Sequence, residues 1–271
     1  MPNIKSIQAI QVFDSRGSPT ISCEIHLNNG SSFTSMVPSG ASTGSREALE
    51  LRDGGKDYMG KGVKKAIDNI HNQIAPALIG FDVRDQQSID EKMIELDGSI
   101  TKSNFGANAI LGVSLAVLGA GAKVSEQPLY QYINHVFHEI NSVKLDMQLP
   151  VPMLNIINGG EHADNNIDIQ EFMIMPLGAT SFSQGMQWSV EIYGGLKKLL
   201  QQRNLSTGVG DEGGFAPNLQ SHEEAIELIM QAIENNSLRP GLDVSIALDC
   251  AATEFYEDNL YSLKGQSLNL T

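Results

Sequence analysis

The sequence predicts an α+β domain followed by an α/β region of different texture, and three observations carry that expectation. Strand-like patterns precede helical ones in the first third of the chain. Continuous apolar runs, as strands buried on both faces would show, begin near residue 149. Acidic residues gather in the second part: residues 1–144 carry 13 basic and 15 acidic side chains, residues 145–271 only 5 basic against 17 acidic.

In chain order, residues 3–12 alternate weakly, and Thr20–Leu27 and Ser31–Val37 flank Asn28-Asn29-Gly30, a hairpin turn signal. A Gly/Ser-rich loop follows from Pro38 to Gly44. Val63, Ile67, Ile70 and Ile74 recur three or four apart, as do Ile89, Met93 and Leu96, and both stretches read as helices. Gly106–Ala122 is small and apolar throughout, a buried helix. A polar stretch from His135 to Gln148 closes the domain. Beyond it, Val151–Ile157 and Ile169–Met175 read as buried strands, Phe182–Leu200 and Ser221–Ile233 as helices, and Asp243–Asp249 as a third buried strand ending on an acid. Polar residues at strand ends belong to α/β barrels and doubly wound sheets, whose sites lie at the carboxyl edge. The residues after Gln148 number about half of the ~250 that a closed eight-stranded barrel takes. The fold is therefore smaller than a barrel, or the chain holds part of one.

Composition narrows the function classes. Of the 271 residues 41% are hydrophobic and 18% charged, below the ordinary ~25%, so a folded globular chain is expected rather than a disordered one. The formal net charge of −14 argues against a nucleic-acid partner, because phosphate backbones select Lys/Arg clusters. No apolar run approaches the ~20 residues of a membrane span, and Met1-Pro2-Asn3-Ile4-Lys5 has no signal-peptide core, so no membrane association and a cytoplasmic location are expected. Cys23 and Cys250 lie far apart without a CxxC pair, which fits a reducing compartment. Several acids sit in Gly-rich or apolar surroundings, where carboxylates need a counter-ion, and a hard divalent cation is the usual one.

Individual motifs sharpen this. Gly55–Lys61 matches G-x-x-x-x-G-K, but Gly62 stands where a P-loop needs a Ser/Thr hydroxyl, so it is not one. Ser39–Gly44, with Ser42 and Thr43, reads from composition as a turn, with a lid over a substrate as the other reading. His162 follows Gly159-Gly160 in a loop with Glu161, Asp164 and Asp168 nearby, and is either structural or catalytic. Glu171, beside Gln170 in an apolar run, needs an ion or a hydrogen-bond network to be buried. These neighbours point to opposite faces of a regular strand, so both reach one site only where the strand bends. Asp211-Glu212 between Gly208/Gly210 and Gly213/Gly214 suggests a carboxylate held by bent backbone for general acid/base work, with its pKa raised. Asp249, at the end of an apolar strand, is a metal-ligand candidate.

Together and in order, these segments resemble the enolases, the phosphopyruvate hydratases. The stretches that carry the resemblance are Asp14–Thr20, Val37–Gly44, Glu47–Asp53, Gly106–Ala116, Asn155–Gly160, His162–Asp164, Gln170–Pro176, Gly210–Pro217 and Ala247–Asp249, spread over essentially the whole chain. The resemblance implies an α+β N-terminal cap domain over residues 1–138, followed over residues 139–271 by an incomplete α/β (enolase-type TIM) barrel that opens with two antiparallel strands. It implies Mg2+-dependent dehydration of 2-phosphoglycerate to phosphoenolpyruvate in glycolysis, and a homodimer. It places Glu212 as the acid that protonates the departing hydroxide, Glu171 as its carboxylate partner and His162 near the phosphate. Gln170 becomes a substrate contact, Ser42 a loop serine that closes over substrate and binds a second Mg2+, and Asp249 the first carboxylate ligand of the tight Mg2+. Some members also occur at the cell surface or are secreted. The family's two further Mg2+ carboxylates, its catalytic lysine and its substrate lysine and histidine have no counterpart in these 271 residues, so the chain alone is expected to be inactive. The alternative is a non-catalytic decayed or binding protein that retains the cap and its dimer surface. Gly194, where a histidine is common, and Ser18, for the usual asparagine, are smaller departures.

Overall fold

Asn28-Asn29-Gly30 turns the chain as its composition requires, with Gly30 at φ 85°, a conformation that an L side chain rarely adopts. On either side run β1 (Ile4–Phe13), β2 (Pro19–Leu27) and β3 (Ser32–Met36), an antiparallel meander with β2 in the middle. The computed structural model describes residues 1–40, 42–263 and 268–270. The chain divides into two units, Met1–Gly40 with Arg46–Met147, and Ala41–Ser45 with Gln148–Thr271.

In the first unit the helices follow the strands, as expected. α1 (Lys64–Asn69), a π-helical turn at Ile70–Ile74 and α2 (Ala75–Leu78) form one interrupted run. Pro76, with no N–H to donate, breaks the regular ladder there, and the wider turn keeps Ile70 and Ile74 buried. His71 on that turn accepts a hydrogen bond at Nε2 from the Ala9 amide of the edge strand β1 (2.9 Å). α3 (Gln86–Asp97) is capped by Asp85 and stopped by Gly98 at φ 66°. α4 (Ala107–Val124) has a mean hydropathy of 1.6 and is long and apolar enough to cross a membrane, yet most of it is buried against β2 and β3. Its small residues explain the packing: a Cβ on Gly119 would overlap the Phe33 ring, so only glycine lets the helix lie this close to the sheet.

α5 (Leu129–Asn141) corrects the sequence reading, which took His135–Gln148 as polar connection. It buries Tyr132 and Val136 against α4 and leaves Ile133, Phe137 and Ile140 of the same apolar stripe exposed. Leu129, Tyr132, Ile133, Val136, Phe137 and Ile140 recur at helical spacing, and the polar residues between them hide that period when the segment is taken as a polar run. The expected boundary at residue 138 falls inside this helix, whereas the units divide after Met147.

In the second unit β4 (Leu154–Asn158) and β5 (Glu171–Met175) are antiparallel, and β6 (Ser245–Asp249) pairs antiparallel to β5, giving the order β4-β5-β6. Phe215 adds a parallel bridge beyond β4, through Asn158 N to Phe215 O and Phe215 N to Ile156 O, both 2.9 Å. α6 (Phe182–Gln202) and α7 (His222–Asn235) are N-capped by Ser181 and Ser221, which accept from Gln184 N and Glu224 N. They bury Ile192, Leu196, Leu228 and Ile229 in one core with Ile156, Phe172 and Ile174. Among the described residues this sheet does not close, so the region is an incomplete α/β barrel opening with two antiparallel strands. β6 departs from expectation: it is not buried on both faces, because it is the edge strand, and Leu248 and Asp249 are exposed. A small meander of β7 (Tyr256–Glu257), β8 (Leu260–Leu263) and β9 (Leu268–Leu270) follows.

Candidate functional site at the strand ends

Two irregular segments build the site on this sheet. The first, residues 159–170, joins β4 to β5 and carries a short 3₁₀ turn, Gly160–His162. Its base is pinned by Gly159 N to Gln170 O (2.9 Å) and Gly160 N to Ile167 O (2.6 Å). Asn165 Nδ2 donates to Asn158 O and Pro217 O, and Asn166 exchanges both its bonds with the Leu219 backbone (2.6 and 3.0 Å). Asp168 N donates to His222 Nε2 on the first turn of α7 (3.0 Å).

The second segment is the glycine-flanked turn 208–215. Asp211 N donates to His162 O (3.1 Å), and Gly210 N and O close the turn on Gly214 O and Gly213 N. Gly213 sits at φ 83°. A Cβ on Gly214 would run into the Asn158 amide and the backbone of Ile156 and Ile157, so the chain reaches β4 only with glycine there. The Tyr193 ring stacks on Phe215 at 4.3 Å and its hydroxyl donates to Gly213 O (2.9 Å), which holds the turn from the side of α6.

These segments bring the candidate residues together in two linked groups. His162, only 5% exposed, places Nδ1 3.3 Å from Glu171 Oε1, and exposed Glu212 completes a trio whose donor atoms all lie within 4.8 Å of one another. Ser42 Oγ donates to Gln170 Oε1 (3.1 Å), and Gln170 Nε2 donates to Asp249 Oδ2 (3.5 Å), while Asp249 Oδ1 accepts from Ala251 N. Ala41, in the same serine-rich loop, lies outside the described residues. Glu171 stands opposite Asp249 in the β5–β6 register and so joins the groups. Gln170 precedes the regular part of β5, which removes the parity objection: it need not alternate with Glu171.

The electrostatics single out Glu171. Burial pushes its carboxyl above the usual range, Asp249 and Glu212 push the same way, and His162 opposes them. The desolvation expected at the glycine turn thus falls on Glu171, whereas Glu212 stands in solvent. Among the described residues, no lysine or arginine forms an ion pair with Glu171, Glu212 or Asp249. Three carboxylates converging with no lysine or arginine beside them call for a cation. Ser42 Oγ, Gln170 Oε1 and the Asp249 carboxylate are hard oxygen donors, the kind Mg2+ takes while keeping several waters, so the residues fit that ion.

Asn158, Asn165, Asn166, Tyr193 and His222 hold the site's loops yet drew no attention in the sequence. The two asparagines in Asp164-Asn165-Asn166 are the one available signal, since Asn side chains pair with loop backbone. The other three act across long sequence separations that no local pattern reveals.

Two family models match the chain. Residues 4–133 match the enolase N-terminal domain, and residues 146–270 match the enolase C-terminal TIM barrel domain.

Proposed function

This chain belongs to the enolase family, and on that premise we propose that its strand-end site serves the Mg2+-dependent interconversion of 2-phosphoglycerate and phosphoenolpyruvate. The observation that carries the reading is the trio His162, Glu171 and Glu212 within 4.8 Å, with Asp249 across the sheet from Glu171. Loss of hydroxide requires an acid that keeps its proton near neutrality, and a carboxyl desolvated beside two other carboxylates has that property. Glu171 holds this proton within reach of Glu212, and exposed Glu212 presents it to the departing hydroxyl. His162, buried against Glu171, faces the phosphate end, and Gln170 and Ser42 orient the substrate. Asp249, with Ser42 for a second ion, would hold Mg2+, which when bound stabilises the doubly charged enediolate formed beside a carboxylate.

Among the described residues no lysine or arginine pairs with these carboxylates, so the chain by itself is proposed to bind substrate without turning it over. That feature also favours a second reading, a non-catalytic family member that keeps the cap and a dimer surface. A cytoplasmic homodimer is part of both. Calorimetry with 2-phosphoglycerate and Mg2+ tests the site: the catalytic reading expects Mg2+-dependent binding that His162→Gln and Glu212→Gln weaken at least tenfold, without growth of the phosphoenolpyruvate ultraviolet band. Absence of binding leaves the non-catalytic reading, and turnover by the isolated chain contradicts both.

A further inference from the structure

His162 carries a feature that the reaction does not explain. Its side chain is 5% exposed, yet Nδ1 has no hydrogen-bond partner and points at Glu171 Oε1 from 3.3 Å. A buried ring nitrogen left in this way is costly unless something is placed between it and the carboxylate. Glu212 is the third donor, and the three come from three different segments: the 3₁₀ turn, the start of β5 and the glycine turn.

We propose that His162, Glu171 and Glu212 form a cation site of their own, distinct from the oxygen donors around Asp249 and selective for a borderline divalent ion of the zinc type. The donor set decides the selectivity. One imidazole nitrogen with two carboxylates is a set that Zn2+ takes, with an open fourth position for water, whereas Mg2+ prefers an all-oxygen shell. Two ligands bound tetrahedrally at about 2.1 Å lie about 3.4 Å apart. The His162–Glu171 separation of 3.3 Å already meets that requirement. Glu212 has to move inward, and its exposed place beside Gly213, at φ 83°, lets it do so. Charge points the same way: Glu171 has Glu212 beside it and Asp249 opposite it across the sheet, and a dication between Glu171 and Glu212 relieves the repulsion of like charges. The site rests on this geometry and not on the reaction proposed above.

The test is calorimetric titration of the whole chain with Zn2+ in millimolar Mg2+, with Co2+ as a spectroscopic probe of coordination. One tight Zn2+ per chain is expected, not displaced by Mg2+, with Co2+ giving the visible bands of a low-coordinate site. His162→Gln and Glu212→Gln should each weaken Zn2+ at least tenfold. Glu212 is exposed on a turn, so its variant keeps the readout valid should His162→Gln disturb the loop. Asp249→Asn, which removes a neighbouring charge but no proposed ligand, should weaken Zn2+ by clearly less than the His162 and Glu212 variants do. His135→Gln at the surface His135–Glu139 pair should leave the affinity unchanged. The proposal is overturned by no binding, by displacement with Mg2+, by full affinity in the His162 and Glu212 variants, or by loss of Zn2+ in Asp249→Asn.

Discussion

Cys23 and Cys250 stand in opposite surroundings, and the contrast separates the two units. Cys23 lies on the central strand β2, paired with Ala9 on one side and Ser35 on the other, under Gly112 of α4. It is fully buried, and burial pushes its thiol up to about 12. Cys250 follows β6, which among the described residues has a partner on one side only, and is exposed together with Asp249. In the first unit the central strand β2 is covered by α4 and flanked by a partner on each side, although the outer stripe of α5 stays exposed. In the second, the acids come from the start of β5, the end of β6 and the glycine turn, and among the described residues β6 has no further strand beside it. Burial seals the first unit, and the same physics leaves the second with converging, unneutralised carboxylates.

The largest expected effect breaks the comparison at its glycines. Gly214→Ala drives a methyl into the backbone of β4 and into Asn158, which cannot give way, while Gly119→Ala meets the half-buried Phe33 ring, which can swing. Gly214→Ala should cost ~3 kcal/mol or more and Gly119→Ala about 1–2 kcal/mol, the latter partly offset by better helix propensity. Native-state hydrogen exchange, which reads each unit separately, measures both. Equal costs would mean that the turn yields as easily as the ring.

Thiol labelling sharpens the contrast next. Under native conditions Cys250 should react at the rate of a free thiol, and Cys23 only as fast as the first unit opens, slower by orders of magnitude. Comparable rates would show that the first core is not sealed.

A smaller effect concerns pH. Because the folded chain keeps the Glu171 carboxyl protonated to higher pH than the unfolded chain does, it binds more protons between the ordinary value and the raised one. Stability of the second unit therefore falls as pH rises through that window and stays lowered above it. Glu171→Gln should remove the penalty and stabilise the unit at neutral pH, with the gain vanishing below the ordinary carboxylate range. Melting curves across pH check this, and a gain that grows toward acid would reverse the sign. The smallest effect is Tyr193→Phe, which keeps the stack on Phe215 but removes the bond to Gly213 O. It should cost about 1 kcal/mol and speed amide exchange in the 210–214 turn, with the first unit unchanged.

Legibility in the sequence follows the same division. The meander was readable because Asn28-Asn29-Gly30 encodes its own turn, and α4 because a small-residue run has few places to go but a close-packed core. The six candidate residues lie together, and local pattern marks only four of them. Glycine pairs and strand-end positions point to His162, Glu171, Glu212 and Asp249, whereas Ser42 and Gln170 enter through the resemblance to the family. α5 is legible in the sequence by the helical spacing of Leu129, Tyr132, Ile133, Val136, Phe137 and Ile140, and only the interleaved histidines, Glu139 and asparagines make its second half read as a polar run. The burial of β6 was overestimated because an apolar run does not reveal whether a second neighbour lies beside it. His222, Asn166 and Tyr193 hold the site through contacts 20 to 54 residues away in sequence, which no window of local pattern spans.

If the proposed site is right, the ends of β5 and β6 present an anionic half-site that takes a hard cation through Asp249. Calorimetric titration of the chain with Mg2+, beside Asp249→Asn and His162→Gln, tests it most directly. The account predicts one Mg2+ bound, lost in the Asp249 variant and retained in the His162 variant. Absence of binding, or binding that survives Asp249→Asn, would contradict it.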